Sequence, residues 1–291
     1  MKMAVFWGCR VLTSQYAYEM SVRQVFPKLE VELVDLREVA CCGDPVKSIN
    51  TLAADYLAVR VLTLASVTGL TDLLIPCSRC HFTISEAKHG METNGELRLK
   101  LGKLLNEEGL EYNPNIKIWH VIDLLHDVVG LEKIKETVKK PFEDLKLASH
   151  VGCHSIRYSD LGRVDDAENP RKLDELINVL GAETVDYSEK LDCCGAALTY
   201  SHLDAALSLA GSKIKVLQGL NVDALVVCCP ACQMMFDSKQ KDSGAVVGAK
   251  LDLPVLYYTQ LLGLALNIKS EKVGLHLNQS PISHLLTKIP A

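Results

Sequence analysis

Two stretches, "CCGDPVKS" (41–48) and "CCGAALTY" (193–200), set a pair of cysteines side by side ahead of a glycine. An adjacent pair makes a poor disulfide and is an unusual way to hold zinc. The other cysteines give the pairs a context. Cys9, Cys41, Cys42, Cys77 and Cys80 follow the pattern C-x31-C-C-G-x33-C-x2-C, and Cys153, Cys193, Cys194, Cys229 and Cys232 follow C-x39-C-C-G-x33-C-x2-C. Five positions recur in order, the 33-residue spacer is identical, and both leading cysteines follow a glycine. Cys228 is left over. In a reducing compartment, clustered thiols read as metal-binding or redox-active, and the odd count of 11 argues against complete disulfide pairing.

A structural zinc takes four ligands and so does an ordinary cubane cluster. Either would leave one thiol per repeat idle. Neighbouring cysteines reach two irons more readily than one metal. The recurrence of all five therefore favours a polynuclear iron–sulfur centre in each half, of a shape the spacing does not specify. A zinc-binding scaffold protein is the competing reading.

The elements that must position these thiols repeat as well. "KMAVFWGC" and "KLASHVGC" are apolar runs that end at the leading cysteines. "VELVDL" (31–36) and "ETVDYS" (183–188) precede the paired cysteines, and "DLLIPC" (72–77) and "DALVVCC" (223–229) lead into the C-x2-C pairs. Such runs predict buried parallel strands. Helices are predicted over Thr51–Val67, over Asn169–Leu180 with Asn169 as cap and Pro170 in the first turn, and over 202–220. Segment 82–115 reads as a charged helix interrupted at 90–95. "KIWHVIDLLHDVVG" (117–130) reads as a strand and helix matching "PVLYYTQLLGLALN" (254–267). Internal repetition with strand–helix alternation predicts two copies of a parallel α/β fold. The expected units are 1–145 and 146–268, with 133–146 as linker and 269–291 as an extension over the surface or a partner. Ligands of open α/β sheets sit beyond the carboxyl ends of the strands, where three loops per copy would gather five thiolates. Gly43 and Gly195 suit a tight turn or a close approach there.

The composition is that of an ordinary globular chain of 291 residues, 48% hydrophobic and 23% charged. A net charge of −5 gives no reason to expect nucleic acid or an anionic membrane. Leu253–Ile268 is uncharged but too short to span a bilayer, and the apolar run at the N-terminus is too short for a signal peptide, so a cytoplasmic location is expected.

The doubled cysteine motif resembles the tandem cysteine-rich CCG-domain family over roughly residues 3–265, and within it the B subunits of the CoB–CoM heterodisulfide reductases of methanogens. The motif is specific for the family and less so for the substrate, since fumarate- and hydroxy acid-linked redox proteins share it. The resemblance implies two tandem, pseudo-twofold-related, Rossmann-like CCG domains and an oxidoreductase. It implies two noncubane [4Fe-4S] clusters, one on Cys9, Cys41, Cys42, Cys77 and Cys80, the other on Cys153, Cys193, Cys194, Cys229 and Cys232. The disulfide CoM-S-S-CoB would bind between them and be cleaved to two thiols. The ferredoxin run, G-x-G-x-x-G and the P-loop are all absent, so electrons must come from another polypeptide. The resemblance implies two partner proteins of the same reductase, one ferredoxin-like and the other flavin-bearing and electron-bifurcating. A hydrogenase or formate dehydrogenase would stand upstream of them.

Other residues carry both a chemical and a plain structural reading. His154, beside Cys153, could pass a proton to a departing thiolate, or it could simply be stacked or hydrogen-bonded in its loop. His81, beside Cys80, is a weaker candidate. The remaining histidines, His150 among them, read as structural. Arg10, Arg79 and Arg157 flank the cysteine loops and suit an anionic substrate, or else salt bridges. Lys47 and Lys213 are weaker candidates. Tyr16, Tyr18, Tyr158 and Tyr200 read as pocket lining or packing, and Cys228 as a small buried hydrophobe or a thiol near the cluster.

Overall fold

In the computed structural model, which describes residues 1–156 and 161–289, the aliphatic runs ahead of the cysteines form the central strands. The first sheet contains β1 (Lys2–Val5), β2 (Glu32–Asp35), β3 (Asp72–Leu74) and β4 (Lys117–Trp119) in the order β2-β1-β3-β4. The second contains β5 (Lys146–His150), β6 (Glu183–Thr184), β7 (Ala224–Val227) and β8 (Val255–Tyr257) in the order β6-β5-β7-β8. Every pairing is parallel, with Val5 opposite Leu74 and His150 opposite Val227. Past their first residues, Lys2, Asp72 and Lys146, the central strands β1, β3, β5 and β7 are buried between helices and carry aliphatic or small residues on both faces, except for His150 at the end of β5.

The chain order reverses between β1 and β3, and again between β5 and β7. These are the topological switch points where an open α/β sheet leaves a crevice at its carboxyl edge. Cys9 and Cys77 follow β1 and β3, and Cys153 and Cys229 follow β5 and β7. The fold therefore delivers two cysteine loops to each crevice. The Cys-Cys-Gly loops come from beyond the neighbouring strands β2 and β6.

Several elements differ from the sequence expectation. The helix expected over Asn169–Leu180 spans only Lys172–Asn178, because Asp166 captures the Asn169 N–H and Asp165 caps the helix by accepting from the Lys172 N–H. Strand β6 is two residues long because the chain turns inward at Tyr187, whose hydroxyl donates to the Ser149 carbonyl. The region expected as linker contains most of a helix, Leu131–Thr137, anchored by buried Ile134. Arg157 and Tyr158 lie outside the described residues.

One apolar cluster runs across both sheets, a second lies on the other face of the first sheet, and the helices of the two halves make reciprocal contacts. The helix after β1, Tyr16–Val25, packs on the helix after β8, Tyr258–Ala265. Tyr18 stacks on Tyr257 at 4.1 Å between ring centroids, and Ser21 and Thr259 hydroxyls meet at 2.7 Å. On the other side Lys172–Asn178, which precedes β6, meets the segment after β4, where His126 bonds Glu175 and Lys172 pairs with Asp127. Helices of one half thus dock beside the edge strand of the other, as a pseudo-twofold requires.

The extension beyond residue 269 covers the open edge of β8. Asn278 donates to the Val255 carbonyl, the Ser280 hydroxyl accepts from the Val255 N–H, and Leu275 and Leu285 are buried. Pairing an exposed edge in this way removes a site for unwanted strand addition.

Candidate metal centres

Each Cys-Cys-Gly loop is held against a helix by its glycine. Gly43 and Gly195 have left-handed φ of 92° and 83°, and a Cβ on either would run into a helix carbonyl, that of Ala54 or Ala206. Only glycine meets both demands. The loop that results points its thiols back toward the switch-point cysteines.

All eleven cysteines are free thiols, and ten of them lie in one continuous string of neighbouring sulfurs. In the first half Cys9 neighbours Cys41, Cys41 neighbours Cys42, Cys42 neighbours Cys80 and Cys80 neighbours Cys77. In the second half Cys153 neighbours Cys193, Cys193 neighbours Cys194, Cys194 neighbours Cys232 and Cys232 neighbours Cys229. The two series meet where Cys77 and Cys229, equivalent residues, face each other across the pseudo-twofold. The string is buried at its middle and reaches the surface toward its ends, at Cys9 and Cys193.

Crowding decides where charge can sit on the string. Hydrogen bonds from Cys41 and Cys80 push Cys42 well down, and those from Cys232 and Cys77 push Cys229 well down. Cys193, bonded by Cys153 and Cys194, is pushed down to about 2, while Cys194 is pushed up to about 12, chiefly by its bond to Cys193. Negative charge gathered on buried sulfur is costly unless a cation joins it. Five soft donors in contact, some readily ionised, suit iron–sulfur or other thiophilic metal chemistry.

A cavity of about 220 Å³ opens beside the second set. It is lined by Cys153, Cys193, Cys194, Cys229 and Cys232 and, from the first half, by Ser78 and Arg79. His154 is part of its wall, with Nδ1 3.4 Å from the Cys153 Sγ and its ring edge-on to Phe82. Burial holds the His154 pKa below its ordinary value. Arg79 is ion-paired with Asp44. Burial opposes its charge, but Asp44 and the nearby thiols outweigh that and raise its pKa.

The other expected residues divide between this region and elsewhere. Arg10 lies beside Cys9 and reaches across the halves to the Met234 sulfur at 2.8 Å. His81 is buried edge-on to His120, and burial pulls its pKa to about 3. Lys47 pairs with Glu86 at 2.5 Å. Tyr18 is packing at the junction, and Tyr16 and Tyr200 are exposed. Cys228 stands apart from the string, buried, with its thiol donating to the Val151 carbonyl at 3.0 Å.

Two residues change standing. Lys213, expected as a weak substrate contact, is only 1% exposed and sits behind the second thiol set. Its Nζ lies 2.7 Å from the Asp192 carbonyl, 3.5 Å from that of Lys190 and 3.1 Å from His150 Nδ1. Burial pulls its pKa to about 8. His150, expected to be structural, places a ring nitrogen among the Cys194 and Cys232 sulfurs, all within 4.8 Å of one another. Its position three residues before Cys153, at the end of β5, was the available signal.

A model of the cysteine-rich CCG domain matches residues 3–85 and 147–237. The chain is 33% identical over 292 residues to the B subunit of the ferredoxin/F420H2-dependent CoB–CoM heterodisulfide reductase of Methanosarcina acetivorans, covering 99% of this chain and 97% of that one. It is 29% identical to the membrane anchor subunit of the 8-methylmenaquinol:fumarate reductase of Wolinella succinogenes, over 94% and 95% of the two chains. A crystal structure of a hypothetical protein from Helicobacter pylori shares the fold, with a TM-score of 0.77 at 17% identity over 96% of this chain and 51% of that one. Among the described residues no helix is long and apolar enough to cross a membrane.

Proposed function

The chain belongs to the cysteine-rich CCG-domain family, and from that premise we propose that it is the catalytic iron–sulfur subunit of a heterodisulfide reductase. The observation that carries the reading is the string of ten thiols, five and five, meeting at Cys77 and Cys229. Its near full-length likeness to a protein named as the B subunit of a heterodisulfide reductase supports that substrate class. Each five-cysteine set is proposed to hold a noncubane [4Fe-4S] cluster, in units that divide near residue 145. The reaction is R–S–S–R′ plus two electrons and two protons giving RSH and R′SH, with CoM-S-S-CoB as the disulfide.

When bound, the clusters supply single electrons and iron that can take up sulfur. The chain's own side chains bind and orient. Arg79, fixed by Asp44, presents a guanidinium at the cavity for the anionic groups of the substrate, and Arg10 and Arg157 are further candidates. His154, on the cavity wall, would pass a proton to a departing thiolate. The relatives' names point to a reductase built from several different polypeptides, in which a ferredoxin-like partner and a flavin-bearing one would deliver electrons.

The test is anaerobic isolation with iron and sulfide analysis, followed by spectroscopy during addition of CoM-S-S-CoB and a reduced-viologen assay of the complex. About eight irons per chain and turnover of the heterodisulfide are expected. Two clusters without turnover would favour a second reading, a fumarate- or hydroxy acid-linked redox protein, for which the full-length fumarate reductase relative speaks. Colourless, zinc-loaded protein would overturn both.

A further inference from the structure

We infer that the buried His150–Lys213 pair donates hydrogen bonding and positive charge to the second thiol set, so that the centre held there accepts an electron more readily than its first-half counterpart. The inference rests on the iron–sulfur reading above and deepens it by making the two centres unequal.

The argument begins with donors and acceptors. A lysine ammonium has three N–H donors and no acceptor. Lys213 meets three acceptors, the carbonyls of Asp192 and Lys190 and the Nδ1 of His150. A charged Lys213 can only donate, so with the ammonium in place Nδ1 is the acceptor and the ring proton belongs on Nε2. That nitrogen is buried and has no hydrogen-bond partner among the described residues, although the ring stands among the sulfurs of Cys194 and Cys232. A buried N–H beside sulfur, backed by a buried ammonium, is an arrangement that stabilises added negative charge. Hydrogen bonds to cluster sulfurs and nearby charge are recognised determinants of iron–sulfur potential.

The first half lacks both groups. "KMAVFWGC" laid on "KLASHVGC" puts Phe6 where His150 stands, and the identical 33-residue spacers put Val61 where Lys213 stands. Phe6 and Val61 are buried in one apolar cluster with Cys42, Cys77 and Cys80. Neither offers a donor or a charge. Two arginines also bear on the first set, but neither is buried against its sulfurs as Lys213 is. Arg79 acts on Cys77 and Cys42 of the first set and on Cys229 of the second and is partly neutralised by Asp44. Arg10 acts on Cys9, at the exposed end of the string, with its guanidinium turned to the Met234 sulfur. His150 and Lys213 are thus positioning residues that act on the sulfurs.

The test is a redox titration followed by electron paramagnetic resonance on the anaerobic, iron-loaded protein in its complex. Wild type is expected to show two separated midpoints. His150→Phe and Lys213→Met should each move the higher midpoint downward and leave the lower one in place. The expected shift is about a tenfold change in the oxidised-to-reduced ratio at a fixed potential, the scale of one charge-assisted hydrogen bond. His150→Gln, which keeps an N–H donor, should fall between. If His150→Phe fails to load or fold, Lys213→Met still decides. Coincident midpoints in wild type, unchanged midpoints in Lys213→Met, or equal movement of both would overturn the inference while leaving two centres in place. Loss of the second centre's iron from both His150 variants would overturn it too, by making the imidazole a ligand. Fewer than two centres in wild type would overturn the iron–sulfur reading itself.

Discussion

Behind the first set of thiols the fold packs a phenyl ring and an isopropyl group, Phe6 and Val61. Behind the second it packs an imidazole and an ammonium. In front, the two halves share the backbone of their loops. Gly43 and Gly195 share their φ and their helix contacts, and Cys77 and Cys229 meet as equivalents. The gathering of five sulfurs is therefore a property of the repeated backbone, fixed by glycines and strand ends. The electrical surroundings of the sulfurs differ between the halves. A buried lysine is costly unless its donors are satisfied, and here two carbonyls and His150 satisfy them.

The sharpest way to break the agreement in front is to remove one thiol of an adjacent pair. Cys194→Ala is expected to lose about half of the bound iron, with the first-half signal retained, and Cys42→Ala to do the converse. Iron and sulfide analysis with spectroscopy reads both. Loss of nearly all iron from either variant would mean that the two sets assemble as a unit through the Cys77–Cys229 contact.

A smaller effect is expected from the glycines. Gly43→Ala and Gly195→Ala each force a side chain into left-handed backbone, which costs on the order of 1–3 kcal/mol before the collision with the helix carbonyl is counted. Because φ and contacts match, the two variants should destabilise to a similar extent in urea unfolding. A clear difference between them would show that the halves are held together differently behind similar loops.

The frame of this arrangement was legible in the sequence and its rear was not. The spacing of ten cysteines, the position of Gly43 and Gly195, and the aliphatic runs of β1, β3, β5 and β7 are local signals, and each corresponds to a feature of the fold. His150 and Lys213 are 63 residues apart, on β5 and on the helix Leu203–Gly219. Nothing local links them, and a histidine in an apolar run reads as packing. The helix expected from Asn169 starts late because Asp165 and Asp166 compete for the backbone donors, a local contest that helical periodicity does not register. Arg79 could be placed near the thiols from its position between Cys77 and Cys80, but its partner Asp44 comes from the Cys-Cys-Gly loop and required the fold.

A third comparison concerns the sheet edges. Only the second half carries the C-terminal extension, tied down where the Asp237 carboxylate accepts from the backbone N–H groups of Gln279 and Ser280 and from the Ser280 hydroxyl at 2.6 Å. Asp237→Ala should destabilise the protein by about 1.5–3 kcal/mol and speed proteolysis of the extension. Unaltered proteolysis would mean that buried Leu275 and Leu285 hold the extension without the carboxylate.

The smallest expected effect lies at the junction, whose two sides differ in kind. Tyr18 and Tyr257 make one side fully buried, whereas His126, Asp127, Lys172 and Glu175 make the other partly solvated. Partial burial opposes charge on His126, but its hydrogen bonds to Glu175 and Asp127 outweigh it and raise its pKa. Partial burial also opposes charge on Asp127, yet Lys172 and His126 outweigh it and lower the pKa. A raised histidine contributes stability that is full below its ordinary value and is lost as pH rises through the raised one. A lowered carboxyl contributes stability that is present above its ordinary value and is lost as pH falls through the lowered one. The polar side should therefore hold best in the window between ordinary carboxylate and ordinary histidine titration, about pH 4 to 6.5. Glu175→Gln should cost about 1 kcal/mol or less near pH 5 and almost nothing near pH 8, as read by urea unfolding at the two values. An equal deficit at both would remove His126 from the account and leave the junction held by Tyr18, Tyr257 and their neighbours at every pH.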